Sequence, residues 1–312
     1  MPIFVVQFYL MRWDTVTVKA FRMFGMDARN WQILALSALF FLSRFVSDFG
    51  AEFSALGAAL SGAMLAQFVG SKATGTVFQW KSAAITTLGI TILLRASNPV
   101  FWFCAGLIGI GLKFLVRYNK KHIFNPACVG IAVVTLASTG AWVSPGQWGQ
   151  TPVVAAFVLG FAALVLSSAK RLDIALGFLG FFAALLFGRA MWLGDPMVIP
   201  MHQMQNGALL VFAFFMITDP RSTPDSRLGR LVFAAAVAGL AAWLGWGPHV
   251  RGGMIYALAA LAPLTILIDR VLPARRFEWI PNETGNEKEE ETGHETQDTD
   301  DGGRLRPDAA RA

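Results

Sequence analysis

Cysteine is scarce in this sequence of 312 residues, which contains only Cys104 and Cys128. Two cysteines cannot form a disulfide framework, and they are too few to hold an iron–sulfur cluster. The four histidines, at positions 122, 202, 249 and 294, lack metal-ligand spacing, so we predict no metal site. A nucleophile elbow, a Walker loop and a Rossmann glycine pattern are also missing. These absences argue against the common chemistries of soluble enzymes.

Charged residues are also few, at 15% of the chain, whereas a soluble domain has about a quarter. Hydrophobic residues make up 55% of the chain, and the mean hydropathy is +0.52. The formal net charge of +6 does not indicate a nucleic-acid-binding surface, because the cations lie in short clusters between apolar runs. The composition therefore predicts an all-α integral membrane protein.

Long apolar runs divide the chain into about ten predicted membrane spans, since a membrane helix needs about 20 such residues. Two of the spans, 82–95 and 205–218, are short and lead into proline motifs, and a third begins at Asn125-Pro126. Short or proline-interrupted spans at matching places in the two halves of a chain indicate broken helices. No span has a carboxylate near its midpoint, which argues against a proton relay built from this chain alone. The predicted spans are 31–47, 53–70, 82–95, 99–117, 126–142, 152–168, 173–190, 205–218, 229–247 and 252–271.

The distribution of arginine and lysine supports an even number of crossings. With ten spans the basic clusters all fall on one side, which predicts that both termini lie in the cytoplasm. Lys113 and Arg117, near the inner boundary of their span, are expected to extend toward the lipid headgroups. We predict an interfacial segment at 1–30, a polytopic membrane domain at 31–276, and an acidic tail at 277–312. The tail is expected to be disordered, because it offers little apolar surface to bury.

Three proline-containing corners, at 97–99, 122–127 and 217–224, are the best candidates for a functional site. One interpretation is ordinary helix capping at a membrane boundary. Asparagine or aspartate can bond the free backbone N–H groups of a helix start, and proline suits the first helical position. The other interpretation is that broken helix ends converge on a bound anion or cofactor, because helix N-termini present N–H donors and partial positive charge. The residues leave both open.

The corners F-N-P-A at 124–127 and T-D-P at 218–220 resemble those of the RnfD subunits of the Rnf electron-transport complexes. RnfD is related to the NqrB subunit of the sodium-pumping NADH:quinone reductase. The resemblance covers about residues 81–134 and 206–276. It implies about ten spans in two inverted repeats with broken helices, an architecture related to the urea channels, in the bacterial cytoplasmic membrane. It further implies a subunit of a redox-driven ion-translocating oxidoreductase, with FMN as its redox group. The implied partners are other membrane redox subunits and a flavoprotein or iron–sulfur protein.

In that family the FMN is joined through a phosphodiester to a threonine in the motif Asp-x-x-Ser/Thr-Gly-Ala-Thr/Ser. Thr151 and Gly149 match this motif here. Pro145, Trp148 and Gln150 depart from it, which argues against covalent FMN on Thr151 and favours a flavin held without a covalent bond. Trp148 is either a stacking partner for that flavin or an interfacial anchor. The resemblance thus implies the following cofactor-binding residues: Thr151, Gly149, Trp148, Asn125, Pro126, Thr218 and Asp219.

Three functions stay open for such a chain, because fold does not fix function. The first is a membrane subunit of an Rnf-type system that passes electrons across or along the membrane. The second is a solute channel or transporter of the same fold, with a pore between the broken-helix corners. The third is a non-catalytic scaffold subunit. Bound flavin would favour the first function, and solute flux without a reductant would favour the second.

Overall fold

The computed structural model describes residues 28–45, 52–119, 121–144 and 171–274. These residues are mostly helical, as predicted for an all-α protein. Their helices are α1 (Ala28–Phe45), α2 (Phe53–Thr74), α3 (Trp80–Leu93), α4 (Pro99–Leu115), α5 (Pro126–Ala137), α6 (Leu172–Leu193), α7 (Val198–Met204), α8 (Gly207–Val211), α9 (Arg227–Trp246), α10 (Gly253–Leu261) and α11 (Leu264–Val271).

Three of these helices, α2, α6 and α9, are long and apolar enough to cross a membrane. The pair α10 and α11, bent by 52°, makes a fourth span if it is counted as one. Shorter apolar helices lie at 99–115, 126–137 and 207–216. The helices are those of a multi-pass membrane protein, whereas the count of about ten, the inverted repeats and the three predicted domains stay predictions. The predicted span 152–168 lies outside the described residues.

Two short antiparallel strand pairs mark opposite ends of α5. Strand β1 (Leu94–Ala96) continues from α3 and pairs with β4 (Ala141–Val143), which follows α5. Strands β2 (Arg117–Tyr118) and β3 (Lys121–His122) form a hairpin between α4 and the start of α5. We call these two regions the β1–β4 end and the hairpin end. The short predicted span 82–95 is thus a helix that ends at Leu93 and continues as an extended strand.

Helix α4 packs closely between α2 and α5, and glycine makes both approaches possible. A Cβ atom on Gly106 would collide with the carbonyl oxygen of Ala59 on α2. A Cβ atom on Gly130 of α5 would collide with the carbonyl oxygen of Ala105 on α4. Small residues thus allow close helix packing at these two crossings.

Helix α8 is fully buried and ends in an unusual turn. Asn206 caps its start by accepting hydrogen bonds from the N–H groups of Ala208 and Leu209, at 2.8 and 3.3 Å. The helix continues as a π-helical turn over Phe212–Met216, which closes when the N–H of Ile217 donates to the Phe212 carbonyl at 3.0 Å. Single π turns of this kind are frequent at functional sites. This one delivers the chain directly to the 217–224 corner.

Candidate functional site

Two of the three proline corners meet at the hairpin end, and Asn125 joins them. Its side-chain oxygen accepts a hydrogen bond from the N–H of Cys128 at 3.0 Å, which caps α5. Its side-chain nitrogen donates to the carbonyl of Met216 at 3.1 Å, at the last residue of the π turn. Pro126 occupies the first position of α5, where its missing N–H costs nothing. One buried amide therefore connects the start of α5 with the end of α8.

Asp219 organises the second corner and pairs with the first. One of its carboxylate oxygens lies 3.2 Å from Nε2 of His122 and accepts from the Ser222 hydroxyl at 3.1 Å. The other oxygen accepts from the N–H of Arg221 at 3.1 Å. Burial is the largest single influence and acts to raise the pKa of Asp219. The His122 contact and the other hydrogen bonds together outweigh it, so the pKa is lowered from its ordinary value. Asp219 is therefore ionised at neutral pH.

Thr218 is buried, and its hydroxyl donates to the carbonyl of Phe214 at 2.8 Å, one turn back in the π turn. The hydroxyl of Thr223 likewise donates to the carbonyl of Asp219 at 2.9 Å. Both hydroxyls thus add a hydrogen bond to a backbone carbonyl in or just after the π turn. Of the corner residues predicted to bind a cofactor, Asn125, Pro126, Thr218 and Asp219 are brought together, and each has a local structural role.

The third corner lies at the β1–β4 end. Asn98 caps α4 by accepting from the N–H of Val100 at 2.9 Å. The N–H of Ser97 donates to the carbonyl of Gly140 at 2.9 Å, next to the paired strands. Two corners therefore meet at one end of α5 and the third lies at its other end, while the binding of an anion or cofactor by these corners stays a prediction.

Lys121 binds three parts of the chain together at the hairpin end. Its ammonium donates to the carbonyl of Thr223 at 2.6 Å, to the Asp225 carboxylate at 3.1 Å and to the Asp269 carboxylate at 3.0 Å. The other Asp269 oxygen accepts from the N–H of Asp225 at 2.8 Å. The β2–β3 hairpin, the 217–224 corner with its following residues, and α11 are thereby fixed to one another.

Arg171, immediately before α6, holds the same corner through its backbone. It is 3% exposed, and its guanidinium donates to the carbonyls of Pro224 and Pro220 at 3.0 and 3.4 Å. Burial, followed by the neighbouring charge of Arg230, lowers the pKa of Arg171 to about 10, and nearby carboxylates act in the opposite direction. Arg171 therefore still carries its charge at neutral pH.

Arg230 of α9 forms the strongest ion pair of this end with Asp173 of α6. Its Nε lies 3.0 and 2.9 Å from the two carboxylate oxygens, and its terminal nitrogen also contacts Asp173. A second terminal nitrogen donates to the carbonyl of Asp225 at 2.7 Å. Such a two-pronged contact is the geometry in which arginine binds carboxylates best. The pair joins α6, α9 and the corner.

Lys113 corrects a prediction, because it does not extend to the membrane boundary. It is 6% exposed, and its ammonium donates to the Ser82 hydroxyl at 2.9 Å and to the Gln67 side-chain oxygen at 3.3 Å. Polar groups on α2 and α3 hold it inside the bundle, since they lie within reach of its Nζ. The signal was present in the sequence, because Gln67 and Ser82 are polar residues within predicted apolar spans. Arg117, one turn further on, is exposed as predicted.

The predicted attachment residues Thr151, Gly149 and Trp148 lie outside the described residues. The described element that leads toward them is β4, where Trp142 is 48% exposed and pairs across the strands with Arg95. The guanidinium of Arg95 donates to the carbonyls of Thr91 and Leu94 at 2.9 and 3.0 Å.

Comparison with known proteins finds similarity to one family of membrane subunits. Residues 139–278 match the NQR2, RnfD, RnfE family model. The RnfD protein of the ion-translocating oxidoreductase complex of Alcanivorax borkumensis is 38% identical over 228 residues, 52% of this chain and 65% of the relative. The protein of the same name from Citrobacter koseri is 34% identical over 98 residues, 31% of this chain and 27% of the relative. That of Stutzerimonas stutzeri is 35% identical over 78 residues, 25% of this chain and 22% of the relative.

The chain thus covers less than two thirds of the length of each of these relatives. The second resembling stretch, at 206–276, lies within the region that the family model matches. It contains the T-D-P corner, Asp225, Arg230 and Asp269, which are contacts of the hairpin end. The resemblance inferred from the proline corners is therefore confirmed at modest identity, and residues 139–278 of this chain are similar to the NQR2, RnfD, RnfE family.

Proposed function

We propose that the chain is a membrane subunit of an Rnf-type electron-transport system in the bacterial cytoplasmic membrane. The observation that carries this proposal is the contact between the two corners on which the family resemblance rests. Asn125 reaches the Met216 carbonyl at 3.1 Å, and His122 meets Asp219 at 3.2 Å. The two motifs, far apart in the sequence, thus form one structural unit. The relatives are named as components of an ion-translocating oxidoreductase complex, which supports the same kind of complex here.

The proposal includes a flavin held without a covalent bond near the β1–β4 end. When bound, a flavin supplies the electron-carrying chemistry, and the protein positions it. Trp142 is suited to stack on its ring, because 48% of this residue is exposed at the end of β4. Arg95 is the residue opposite Trp142 in the strand pair, so it supplies a cation at the same end of the bundle. Thr151 follows β4 in the sequence. A flavin attached covalently to Thr151 would therefore be tethered close to Trp142 along the chain.

Partner subunits are part of the proposal. With two cysteines, the chain has too few thiols to ligate an iron–sulfur cluster by itself. Electrons therefore reach and leave the flavin through other membrane redox subunits and a flavoprotein or iron–sulfur protein. The chain's own task is to hold the flavin in the membrane and to exclude water from its surroundings.

The test is an absorbance spectrum of the detergent-purified protein, followed by flavin fluorescence of its band in a denaturing gel. We expect a yellow protein whose gel band is dark, because a flavin without a covalent bond leaves during denaturation. The variant Thr151→Val should stay yellow. A fluorescent band that disappears in Thr151→Val would contradict the non-covalent proposal and identify Thr151 as the attachment site.

A paired substitution tests the position of the flavin. Trp142→Leu is expected to lower flavin occupancy about tenfold, since stacking on an aromatic ring contributes on the order of 1–3 kcal/mol. Trp192→Leu is the control, because Trp192 is 89% exposed at the end of α6 and belongs to another part of the chain. A colourless protein that also fails to bind added flavin would end the flavoprotein proposal. Solute flux through it in liposomes without a reductant would favour the channel alternative.

A further inference from the structure

Lys113 is a buried cation whose hydrogen-bond partners among the described residues are neutral side chains. Its ammonium contacts the Gln67 side-chain oxygen and the Ser82 hydroxyl, and only 6% of the residue is exposed. Within the described part of the chain, no carboxylate forms an ion pair with it. A charged group inside a membrane protein without a counter-charge is costly, and such groups commonly mark a binding site or an ion path.

Two arginines add to this positive charge. Arg117 lies one turn after Lys113, and its Nε donates to the Lys113 carbonyl at 2.8 Å. Its guanidinium is 5.0 Å from the centre of the Phe114 ring, and the Lys113 ammonium is 5.5 Å from the same centre. Arg221 of the 217–224 corner lies beside the same hairpin, since its N–H donates to Asp219, which is 3.2 Å from His122 of β3. Neither guanidinium forms an ion pair with a described carboxylate.

The backbone places the two arginines on either side of the His122–Asp219 pair. Arg117 lies directly opposite His122 in the β2–β3 hairpin. The N–H of Arg221 donates a hydrogen bond to one carboxylate oxygen of Asp219. The other oxygen contacts the His122 ring and accepts a hydrogen bond from the Ser222 hydroxyl. The Asp219 carboxylate thus accepts from Ser222 and the Arg221 N–H and contacts His122, and it forms no ion pair with either guanidinium within the described residues. Arg117 is exposed and Arg221 is partly exposed, whereas Lys113 is buried.

We propose that Lys113, Arg117 and Arg221 form a binding site for a phosphate group at the hairpin end. The two guanidiniums supply forked N–H donors that match phosphate oxygens, and Lys113 adds positive charge from inside the bundle. Basic pockets between membrane helices are suited to the headgroups of anionic lipids. A free phosphate ion presents the same chemistry, so the experiment must separate the two sources. The site goes beyond the proposed electron-transfer function and does not depend on a flavin.

The experiment uses the full chain purified in detergent and offered phosphatidylglycerol or phosphatidylcholine, with retained lipid counted by native mass spectrometry. The double variant R117Q/R221Q removes the forked donors. The control R227Q/R251Q removes the same total charge from two exposed arginines. We expect the double variant to retain phosphatidylglycerol roughly tenfold or more weakly, and the control to change it less than about threefold. Phosphatidylcholine should bind weakly to all three proteins.

Two further measurements keep the proposal open to contradiction. R117K/R221K keeps the charge but loses the forked geometry, so it should recover only part of the affinity. Titration with inorganic phosphate, followed by thermal unfolding, distinguishes the ligand source. A rise in Tm in the wild type that is absent in R117Q/R221Q, without any preference for phosphatidylglycerol, would uphold the site and assign it to free phosphate. Equal retention of phosphatidylglycerol and equal phosphate response in the wild type, R117Q/R221Q and R227Q/R251Q would overturn it.

Discussion

The two ends of the helical bundle are held together by different forces. At the hairpin end, charged side chains join segments that are distant in sequence. Lys121 bonds to Asp225 and Asp269, and Arg230 pairs with Asp173. At the β1–β4 end the connections described are mainly backbone hydrogen bonds, through the strand pair and the Ser97–Gly140 contact. The ion pair between Arg189 in the last turns of α6 and Asp195 just after that helix is long and open, with a distance of 3.6 Å and side chains 44% and 37% exposed.

This difference shows where the fold is sensitive to charge. A partly buried ion pair, once broken, leaves an unpaired charge in a poor environment, whereas an exposed pair is replaced by water at little cost. Substitutions and changes of pH should therefore affect the hairpin end strongly. The β1–β4 end should be nearly indifferent to the loss of its surface charges. Three predictions follow from this contrast, in order of decreasing effect.

The largest effect is expected from Arg230→Met, because it leaves Asp173 unpaired with only 14% of its side chain exposed. We expect a loss of about 3 kcal/mol in the free energy of unfolding, measured by denaturant titration in a fixed detergent. Arg189→Met, which breaks the open pair on the other side, should cost about 1 kcal/mol or less. Equal losses in the two variants would remove the contrast between the ends.

A smaller effect is expected from Asn125→Ala, and the matched variant is Asn98→Ala. Both asparagines cap a helix whose first residue is proline. Asn125 additionally donates to the Met216 carbonyl, and it is buried, whereas Asn98 is exposed. We expect a loss of about 2–3 kcal/mol for Asn125→Ala and about 1 kcal/mol for Asn98→Ala. Thermal unfolding of the two proteins side by side provides the comparison, and a greater loss for Asn98→Ala would contradict it.

The smallest effect is a pH dependence at Asp219. Because its pKa is lowered in the folded protein, the unfolded chain binds the proton more readily. The stability from its ionised form is present above the ordinary aspartate pKa, and it is lost as the pH falls through the lower folded-state value. Acidification from pH 5 toward pH 3 should therefore destabilise the wild type more than Asp219→Asn. The difference between their unfolding curves across this window is the measurement, and parallel curves would contradict the prediction.

Much of the helical framework could be predicted from the sequence. Helices lie at each of the described predicted spans, and Asn98-Pro99 and Asn125-Pro126 mark two of their starts as expected. The two short spans, at 82–95 and 205–218, do end early, the first in a strand and the second in a π turn. The helix starts depend on residues within one or two turns of each other, so local propensities decide them, whereas β1 also needs its distant partner β4.

The candidate site was predicted only in part. Asn125 and Asp219 were chosen from motifs, and the structure places them in adjoining corners. Lys113 was expected at the boundary, but it is buried, because its partner Gln67 is 46 residues away in sequence and reaches it only through helix packing. The sequence analysis also missed the contact between Arg171 and the 217–224 corner. The acceptor is a backbone carbonyl, and every residue has one, so no residue type in the sequence points to it.

The sequence by itself determined that this is an all-α membrane protein, where several of its helices begin, and which family it resembles. Apolar run length, proline and asparagine act locally, and motifs are visible in the chain alone. Only the tertiary structure decided that Lys121 pairs with Asp225 and Asp269, 104 and 148 residues away. Such contacts depend on how the helices pack, and α4 approaches its neighbours closely because glycines leave the space. The positive charge around Lys113 likewise becomes a candidate site only when α2, α3, α4 and the 217–224 corner are brought together.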